Sequence, residues 1–283
     1  MTEPFLSRIR PENPSDPLLR QVLPVVDEDA SPAGFSADPL LELNANPRPG
    51  LLQKYRGRAL LITTGACGIH CRYCFRRHFP YQESPKSVAD WEPAIEALAS
   101  ETGIEEVLLS GGDPLMLVDA SFDALVRRLE QIPQLKRLRI HTRMPIVVPA
   151  RVNSAFVDTL TSTRLKTTIV IHANHANELD SEVAAALSIL GNAASFTLNQ
   201  SVLLRGVNDS VEALVSLSQR LIECDVIPYY LHQLDRVQGA AHFEVPIETG
   251  KSLIEAMRAR LPGYAVPRYV QEVAGEPNKT VLA

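Results

Sequence analysis

Three cysteines, Cys67, Cys71 and Cys74, lie within one eight-residue segment of the chain. Three thiolates from a single loop can bind three irons of a [4Fe–4S] cluster, because soft sulfur ligands suit iron–sulfur chemistry. The fourth iron would then lack a protein ligand, so a molecule other than the protein must bind it. The spacing therefore predicts an iron–sulfur cluster with one open coordination site.

A structural zinc site and a disulfide are two other interpretations of these cysteines. Structural zinc usually takes four ligands arranged in CxxC pairs, whereas the only other cysteine, Cys224, has no Cys or His beside it in the sequence. A disulfide would leave one of the three thiols unpaired, and nothing in the sequence marks a secreted protein. Zinc and plain buried thiols remain the alternatives to the cluster.

Composition is that of a protein with one large core. The chain has 283 residues, of which 45% are hydrophobic, and this size is normal for a single α/β barrel. Its net charge of −5 argues against a general nucleic-acid or membrane surface. The N-terminus lacks a signal-peptide pattern, and no apolar run approaches about 18 residues. We therefore expect a cytoplasmic protein without a nucleic-acid or membrane partner.

Short apolar runs alternate with amphipathic stretches from Arg58 onward. Helices are predicted at 122–132 and at 211–222, the second behind a Ser210 cap. The alternation predicts an α/β fold with six βα units around a parallel sheet, a partial barrel. The predicted strands, rich in Leu, Ile and Val as buried parallel strands should be, are residues 59–63, 106–109, 138–141, 168–172, 195–199 and 226–231.

Two unequal parts are predicted along the chain. Residues 1–50 are rich in Pro, Asp and Asn and should form an irregular N-terminal wrapping arm, in which the apolar segment 18–26 predicts a short helix. Residues 51–283 should form the barrel. They end in a predicted helix at 247–261, an apolar strand at 265–273 and a short tail.

Polar residues follow each of the six predicted strands. Because chemistry in α/β barrels gathers at the carboxyl ends of the strands, these segments should meet at one rim: 67–78, 110–114, 141–143, 172–175, 199–201 and 229–235. The first of them includes a basic run for which we expect a substrate clamp rather than a solvated loop: Arg72, Arg76, Arg77 and His78.

The CxxxCxxC spacing, with Tyr73 just before the last cysteine, resembles the signature of the radical S-adenosylmethionine (SAM) superfamily. The resemblance implies that SAM chelates the open iron and is split by an electron into methionine and a 5′-deoxyadenosyl radical. Gly111 and Gly112 match the superfamily's Gly-rich motif beside the methionine end of SAM. By the same resemblance, His172 and Gln200 match SAM-pocket residues and Tyr73 should lie against the adenine.

A more specific resemblance is to the lysine 2,3-aminomutase family, and most closely to its branch that serves the β-lysylation of elongation factor P. The similarity takes in the arm motif 16–22 and runs from about residue 49 to residue 280. The segments that carry it within that range are 71–81, 110–115, 174–178, 199–209, 228–232 and 275–280.

This family uses pyridoxal phosphate (PLP) as a second cofactor. The resemblance implies that Lys279 holds PLP as a Schiff base and that Tyr55 and Arg58 lie at the PLP phosphate. It implies no zinc site, because Ser210 stands where the catabolic aminomutases have a cysteine and the cysteine-rich tail of those enzymes has no counterpart before Ala283.

The family match also implies how a lysine substrate is held. Arg76 matches the arginine that grips the substrate carboxylate, a task suited to its two-pronged guanidinium. Asp235 and Glu272 match the two acids that recognise the side-chain ammonium group, although the Glu272 position is an Asp in the catabolic enzymes.

The implied reaction is the conversion of L-α-lysine to (R)-β-lysine for the modification of elongation factor P. Its implied partners are an external reductant such as flavodoxin or ferredoxin, and elongation factor P with its lysyl ligase. An aminomutase for another amino acid such as glutamate is one alternative, but two acids at the distal end would repel a side-chain carboxylate. A non-enzymatic iron–sulfur protein is the alternative from a different class.

Overall fold

The computed structural model describes residues 1–30, 32–45, 50–83, 85 and 87–283. Within these ranges, nine strands join in sequence order into one sheet. They are β1 (Leu51–Tyr55), β2 (Arg58–Thr64), β3 (Glu106–Gly111), β4 (Arg137–Thr142), β5 (Lys166–His172), β6 (Phe196–Val202), β7 (Ile227–His232), β8 (Arg268–Gln271) and β9 (Thr280–Val281).

The strands β2 to β8 are parallel to one another, and β1 and β9 add antiparallel edges. The six predicted parallel strands are confirmed. The apolar segment 265–273 forms a shorter strand than expected, β8, which continues the parallel sheet. The edge strand β1 was not predicted, and it pairs with β2 across a tight turn at Arg56 and Gly57, where Gly57 has a φ of +80°.

Helices cover the outside of the sheet between successive strands. Those of eight or more residues are α3 (Val88–Ser100), α4 (Asp119–Glu130), α6 (Ser154–Ser162), α7 (Ser181–Ala193), α8 (Val211–Glu223) and α9 (Ile247–Arg258), and the short ones are α1 (Glu3–Leu6), α2 (Pro17–Arg20) and α5 (Met144–Val147). The Ser210 hydroxyl accepts a hydrogen bond from the backbone N–H of Ala213 and caps α8, as predicted. In the described part of the chain, every helix is too short or too polar to span a bilayer.

The sheet curls until its two ends approach each other. Lys54, in β1, places its Nζ 2.8 Å from Oε1 of Glu272, which directly follows β8. The two residues lie at opposite ends of the linear strand order, so this ion pair spans the opening of a partial barrel. The expected fold class is thereby confirmed.

The N-terminal arm shares the core of the barrel. Phe5 of α1 and Leu18 of α2 are fully buried in the same apolar cluster as the barrel strands. The helix predicted at 18–26 ends at Arg20, because Pro24 has no backbone N–H with which to continue it. Residues 31 and 46–49 of the predicted arm lie outside the described residues, and the division of the chain at residue 50 stays a prediction.

The arm should contribute directly to stability. Phe5 is fully buried, whereas its neighbour Leu6 is 54% exposed. We expect Phe5→Ala to lower the free energy of unfolding by about 3–5 kcal/mol, because it removes a packed ring and leaves a cavity. The matched change Leu6→Ala should alter it by less than about 0.5 kcal/mol. Urea unfolding followed by circular dichroism measures both, and equal effects would contradict the shared core.

Candidate active site

A single cavity of about 930 Å³ lies at the carboxyl ends of the parallel strands. It is large enough for more than one ligand of cofactor size. The structure brings every site residue expected from the sequence to the wall of this cavity: Tyr55, Arg58, Cys67, Cys71, Tyr73, Cys74, Arg76, Gly111, Gly112, His172, Gln200, Asp235, Glu272 and Lys279. Their individual roles stay predictions.

Gly111 and Gly112 pack against the backbone segment that precedes the cysteine loop. Gly111 has a φ of +114°, a backbone conformation that favours glycine, and a Cβ on Gly112 would overlap the carbonyl oxygen of Ala66. The backbone N–H of Gly112 donates to the Thr64 carbonyl at 2.7 Å, and that of Asp113 donates to Ala66 at 2.8 Å. The glycines therefore let the end of β3 pack directly against the backbone that leads into Cys67.

The three thiols of the cysteine loop are free and face one cavity. Burial raises the pKa of the Cys67 thiol to about 12 and that of the Cys74 thiol to about 11, so binding iron must displace their protons. No group of three or more His, Cys, Asp or Glu side chains among the described residues is arranged to hold a single metal ion. A four-iron cluster spreads its thiolates over different irons, so the donor set fits a cluster better than an ion.

A buried hydrogen-bond network lies behind the cysteine loop. The Tyr73 hydroxyl accepts from Arg143 Nη1 at 2.8 Å and from Asn174 Nδ2 at 2.7 Å, and His172 Nε2 lies 2.7 Å from it. Gln21 of the arm accepts from Arg143 Nη2 at 2.6 Å. Burial, and then the Arg143 charge, lower the pKa of His172 to about 3, so its imidazole is neutral. Tyr73 itself is only 4% exposed and meets the cavity through a small part of its surface.

Arg143 also joins this network to the cysteines. Its Nη1 lies 2.7 Å from Cys71 Sγ, and its Nη2 donates to Glu178 Oε2 at 2.8 Å. The sequence placed Arg143 at the rim without giving it a role. The structure shows a buried cation in contact with a predicted cluster ligand.

Lys279 lines the same cavity and belongs to a second group of contacts. Its Nζ donates to Glu272 Oε2, while Lys54 Nζ binds the other oxygen of the same carboxylate at 2.8 Å. Burial alone would raise the pKa of Glu272, but these two ammonium groups hold it well below its usual range. The Arg58 guanidinium lies 4.4 Å from the centre of the Tyr55 ring. Burial, and then the nearby Glu272 carboxylate, raise the pKa of Tyr55.

Asp235 differs from the other acids of this cavity because no described side chain forms a hydrogen bond or an ion pair with its carboxyl. Burial, and then the nearby negative charge of Glu272, raise the pKa of Asp235 to about 7, although the charges of Lys279 and Lys54 oppose this. Glu272 already binds two ammonium groups. Of the two acids expected to recognise an ammonium group, Asp235 is thus the one that still lacks a partner.

Two charged residues that the sequence did not indicate, Glu42 and Lys54, also line the cavity. Glu42, from the arm, receives hydrogen bonds from Arg76 Nε at 2.6 Å and from Arg76 Nη2 at 2.8 Å. Lys54 binds the same Glu42 carboxylate at 2.8 Å. Lys54 adjoins the predicted site residue Tyr55, but nothing in the sequence distinguishes Glu42 from the other acids of the arm.

Two buried histidines were also missed as individual site residues. His141 and His232 line the cavity, and no partner within the described ranges reaches the Nε2 atom of either ring. Burial and then the nearby Lys279 charge lower the pKa of His232 to about 3, and burial and then Arg139 lower that of His141. Both imidazoles are therefore neutral and offer unsatisfied polar atoms to a ligand.

The basic run of the cysteine loop is largely neutralised by the arm. Glu28 binds Arg72 through Nε at 2.7 Å and Arg77 through Nη2 at 2.8 Å. These two cations lower the pKa of Glu28 to about 2 in spite of its partial burial. Arg72 and Arg77 therefore connect the loop to the arm, and the substrate clamp expected from the basic run stays a prediction.

Comparisons with known proteins identify the family. A family model described as the radical SAM superfamily matches residues 61–217. The L-lysine 2,3-aminomutase of Haemophilus influenzae is 48% identical over 282 residues, which are 99% of this chain and 83% of that protein. The L-lysine 2,3-aminomutase of Escherichia coli is 48% identical over 278 residues, which are 98% of this chain and 81% of that protein.

A solved structure supports the fold. The crystal structure of a radical SAM methyltransferase from Sphaerobacter thermophilus matches with a TM-score of 0.53 and 20% identity, over 78% of this chain and 68% of that one. At this identity the likeness concerns the fold alone. The family model and the near-complete match to the aminomutases assign the chain to the radical SAM superfamily and, within it, to the lysine 2,3-aminomutases, a family of isomerases.

Proposed function

We propose that this protein converts L-lysine to (R)-β-lysine with the help of a [4Fe–4S] cluster, SAM and PLP. Membership of the radical SAM superfamily implies the first two cofactors. One observation carries the rest of the proposal: one cavity is lined by the three-cysteine loop, by Lys279 and by Asp235, whose carboxyl has no described side-chain partner. The activity of the two relatives described above is consistent with this arrangement.

In this proposal the cysteine end of the cavity holds the cluster and SAM. Cys67, Cys71 and Cys74 would ligate three irons, and the SAM molecule would be held by Tyr73, Gly111, Gly112, His172 and Gln200. When bound, these two groups supply a carbon radical that can take hydrogen from an unactivated carbon. The barrel strands and the arm would surround that radical and limit its contact with water.

The opposite end would hold PLP. Lys279 would bind it covalently, and Tyr55 and Arg58 would contact its phosphate. When bound, PLP supplies a conjugated ring that stabilises an unpaired electron on the attached substrate. Glu272 receives the Lys279 ammonium and fixes the position of its Nζ. The neutral rings of His141 and His232 offer this part of the cavity polar atoms without adding charge.

Lysine carries a carboxylate at one end and an ammonium group at the other, and the charges of the cavity match both. Arg76 would bind the carboxylate. Asp235, with Glu272 beside it, would receive the ammonium group, because a buried carboxyl without a partner gains most from a new cation. A glutamate substrate would place a second carboxylate against these acids, which disfavours the alternative of a glutamate aminomutase.

We further propose that the β-lysine is passed to a lysyl ligase that modifies elongation factor P, with flavodoxin or ferredoxin as the electron donor. The segments that resemble the elongation factor P branch support this use of the product. Free thiols and an electron donor are both available in a reducing cytoplasm, which is where we propose the enzyme acts.

The first test concerns the three-ligand cluster. Cys67→Ala, Cys71→Ala and Cys74→Ala should each lose most of the bound iron and the visible absorbance of the cluster. Cys224 is a buried residue at the end of α8, far from the loop in sequence, so Cys224→Ala should keep both. Iron and sulfide analysis after anaerobic reconstitution measures this. Loss of iron from Cys224→Ala as complete as from the other three would contradict the assignment.

The second test addresses the reaction. Reconstituted protein with SAM, PLP and a reductant should form β-lysine from L-lysine, detected by mass spectrometry. Lys279→Ala should form none while keeping its iron and slow SAM cleavage, because PLP attachment and radical formation use opposite ends of the cavity. Lys136→Ala, which changes an exposed lysine at the far end of the sheet, should behave as wild type. β-Glutamate formation from L-glutamate in place of β-lysine would favour the alternative substrate.

The third test uses the raised pKa of Asp235. The carboxyl costs nothing below about pH 4, where it is protonated in both states. Between pH 4 and the folded pKa of about 7 the carboxyl is ionised in the unfolded state but still protonated in the folded state, so the free energy of unfolding falls as the pH rises. Above about pH 7 the carboxyl is ionised in both states, and this loss of stability stays constant. Asp235→Asn should therefore raise the Tm of the cofactor-free protein by about 2–5 °C at pH 8 and by less at pH 5.

The same variant should bind lysine more weakly, because it loses the charge that receives the ammonium group. Calorimetry at both pH values and equilibrium dialysis of L-lysine give the two measurements. A Tm change independent of pH, or unchanged lysine binding, would show that Asp235 is not the unpaired acid of the site.

A further inference from the structure

We propose that Glu42, on the N-terminal arm, is a positioning residue that holds the Arg76 guanidinium in the orientation that binds the substrate carboxylate. The inference rests on the proposed function, in which Arg76 binds the carboxylate of lysine. It adds to the site a residue from a part of the chain that supplies none of the expected ligands.

The contact between the two side chains is buried and two-pronged. Glu42 is 2% exposed and Arg76 is 7% exposed. The carboxylate accepts from Nε and Nη2 of Arg76, which fixes the plane of the guanidinium, and Nη1 donates to the Ser110 hydroxyl at 3.0 Å. Three points of contact leave the guanidinium no freedom to rotate.

The remaining donors of Arg76 suit a carboxylate. An arginine carries five N–H donors, and the described residues use three of them. The two that remain are the number that a bidentate carboxylate contact requires. Because Arg76 lines the cavity, these donors are available to a ligand there. Glu42 thus orients Arg76 without consuming its capacity to bind a substrate.

The charges around Glu42 also favour the binding of a carboxylate by Arg76. Glu42 alone would cancel the positive charge of Arg76 and weaken its attraction for an anion. Lys54 binds the same carboxylate at 2.8 Å and also binds Glu272, which in turn binds Lys279. The five connected side chains carry three positive charges and two negative charges. Arg76 and Lys54 hold the pKa of Glu42 below its usual value although burial opposes this. One carboxylate of a substrate is the charge that this group still lacks.

Hydrogen bonds within the arm fix the backbone position of Glu42. The Asp38 carboxylate accepts the backbone N–H groups of Glu42 at 2.9 Å and of Leu43 at 3.2 Å. Leu41 adopts a φ of +49°, a left-handed conformation that is unfavourable for leucine. A strained residue directly before a buried carboxylate indicates that the Glu42 contacts dictate the path of the arm.

The same stretch of the arm also reaches the acid end of the site. The backbone N–H of Ser36 donates to the carbonyl of Arg236 at 3.0 Å, and that of Gln238 donates to Ser36 at 2.9 Å. Arg236 directly follows Asp235. The arm therefore sets the position of Arg76 and of the segment next to Asp235, the two groups proposed to bind opposite ends of lysine.

The experiment compares ligands with and without a carboxylate on the PLP-loaded, cluster-containing protein in the absence of SAM, so that no turnover occurs. The probes are L-lysine and L-lysinamide, and equilibrium dialysis gives their dissociation constants. Glu42→Gln should weaken lysine binding about tenfold or more, because Arg76 loses its anchor. Lysinamide, which offers no carboxylate to Arg76, should change by less than about threefold.

Two further variants keep the test decisive. Glu42→Asp retains the charge on a shorter side chain and should recover part of the lysine affinity that Glu42→Gln loses. Glu3→Gln removes an exposed acid of the same arm and should leave both affinities unchanged. Iron content, PLP content and Tm are measured for every variant.

Lysine binding by Glu42→Gln as tight as or tighter than wild type would overturn the inference, and tighter binding would show that Glu42 competes with the substrate for Arg76. Equal losses for lysine and lysinamide would overturn it too, since they indicate a general disturbance of the cavity. Wild-type protein that binds no lysine would instead refute the proposed function and, with it, the role given to Glu42.

Discussion

A buried row of alternating charges holds the candidate site together. It runs from Arg76 through Glu42, Lys54 and Glu272 to Lys279, and each member contacts the next. A buried charge is costly unless a partner satisfies it, so each member of the row depends on the oppositely charged neighbours that it contacts. The row starts beside the cysteine loop, crosses the opening of the barrel between β1 and β8, and ends at the proposed PLP lysine. The two ends of the cavity are therefore set relative to each other by electrostatics rather than by packing alone.

Asp235 lies beside this row without belonging to it. The row satisfies its own acids, and the carboxyl of Asp235 is left with a raised pKa and no described partner. Such a group destabilises the fold in the absence of a ligand, which is characteristic of binding sites rather than of structural cores. A ligand with an ammonium group at one end and a carboxylate at the other would complete the charges at Asp235 and at Arg76. The substrate preference in the proposed function follows from this pair of incomplete charges.

The sequence predicted those parts of the fold that depend on local patterns. The six strands follow from runs of Leu, Ile and Val, and the cap of α8 follows from Ser210, because both signals lie within a few residues. The cysteine loop and the rim segments were likewise visible in order along the chain. Glu42 and Gln21 were not, since they reach the site from an irregular arm whose path is set by distant contacts. Arg72 was expected in a substrate clamp because the sequence cannot show that Glu28, 44 residues away, binds it.

We propose that the radical takes a hydrogen atom from C3 of lysine in this cavity, that the amino group moves from C2 to C3, and that a hydrogen atom returns from the 5′-deoxyadenosyl group to C2. Incubation of the reconstituted protein with L-lysine deuterated at C3 and with unlabelled SAM tests this sequence of steps. The account predicts deuterium in the recovered 5′-deoxyadenosyl group and at C2 of the β-lysine formed. Consumption of SAM without transfer of deuterium from C3, or transfer only from lysine labelled at another carbon, would contradict it.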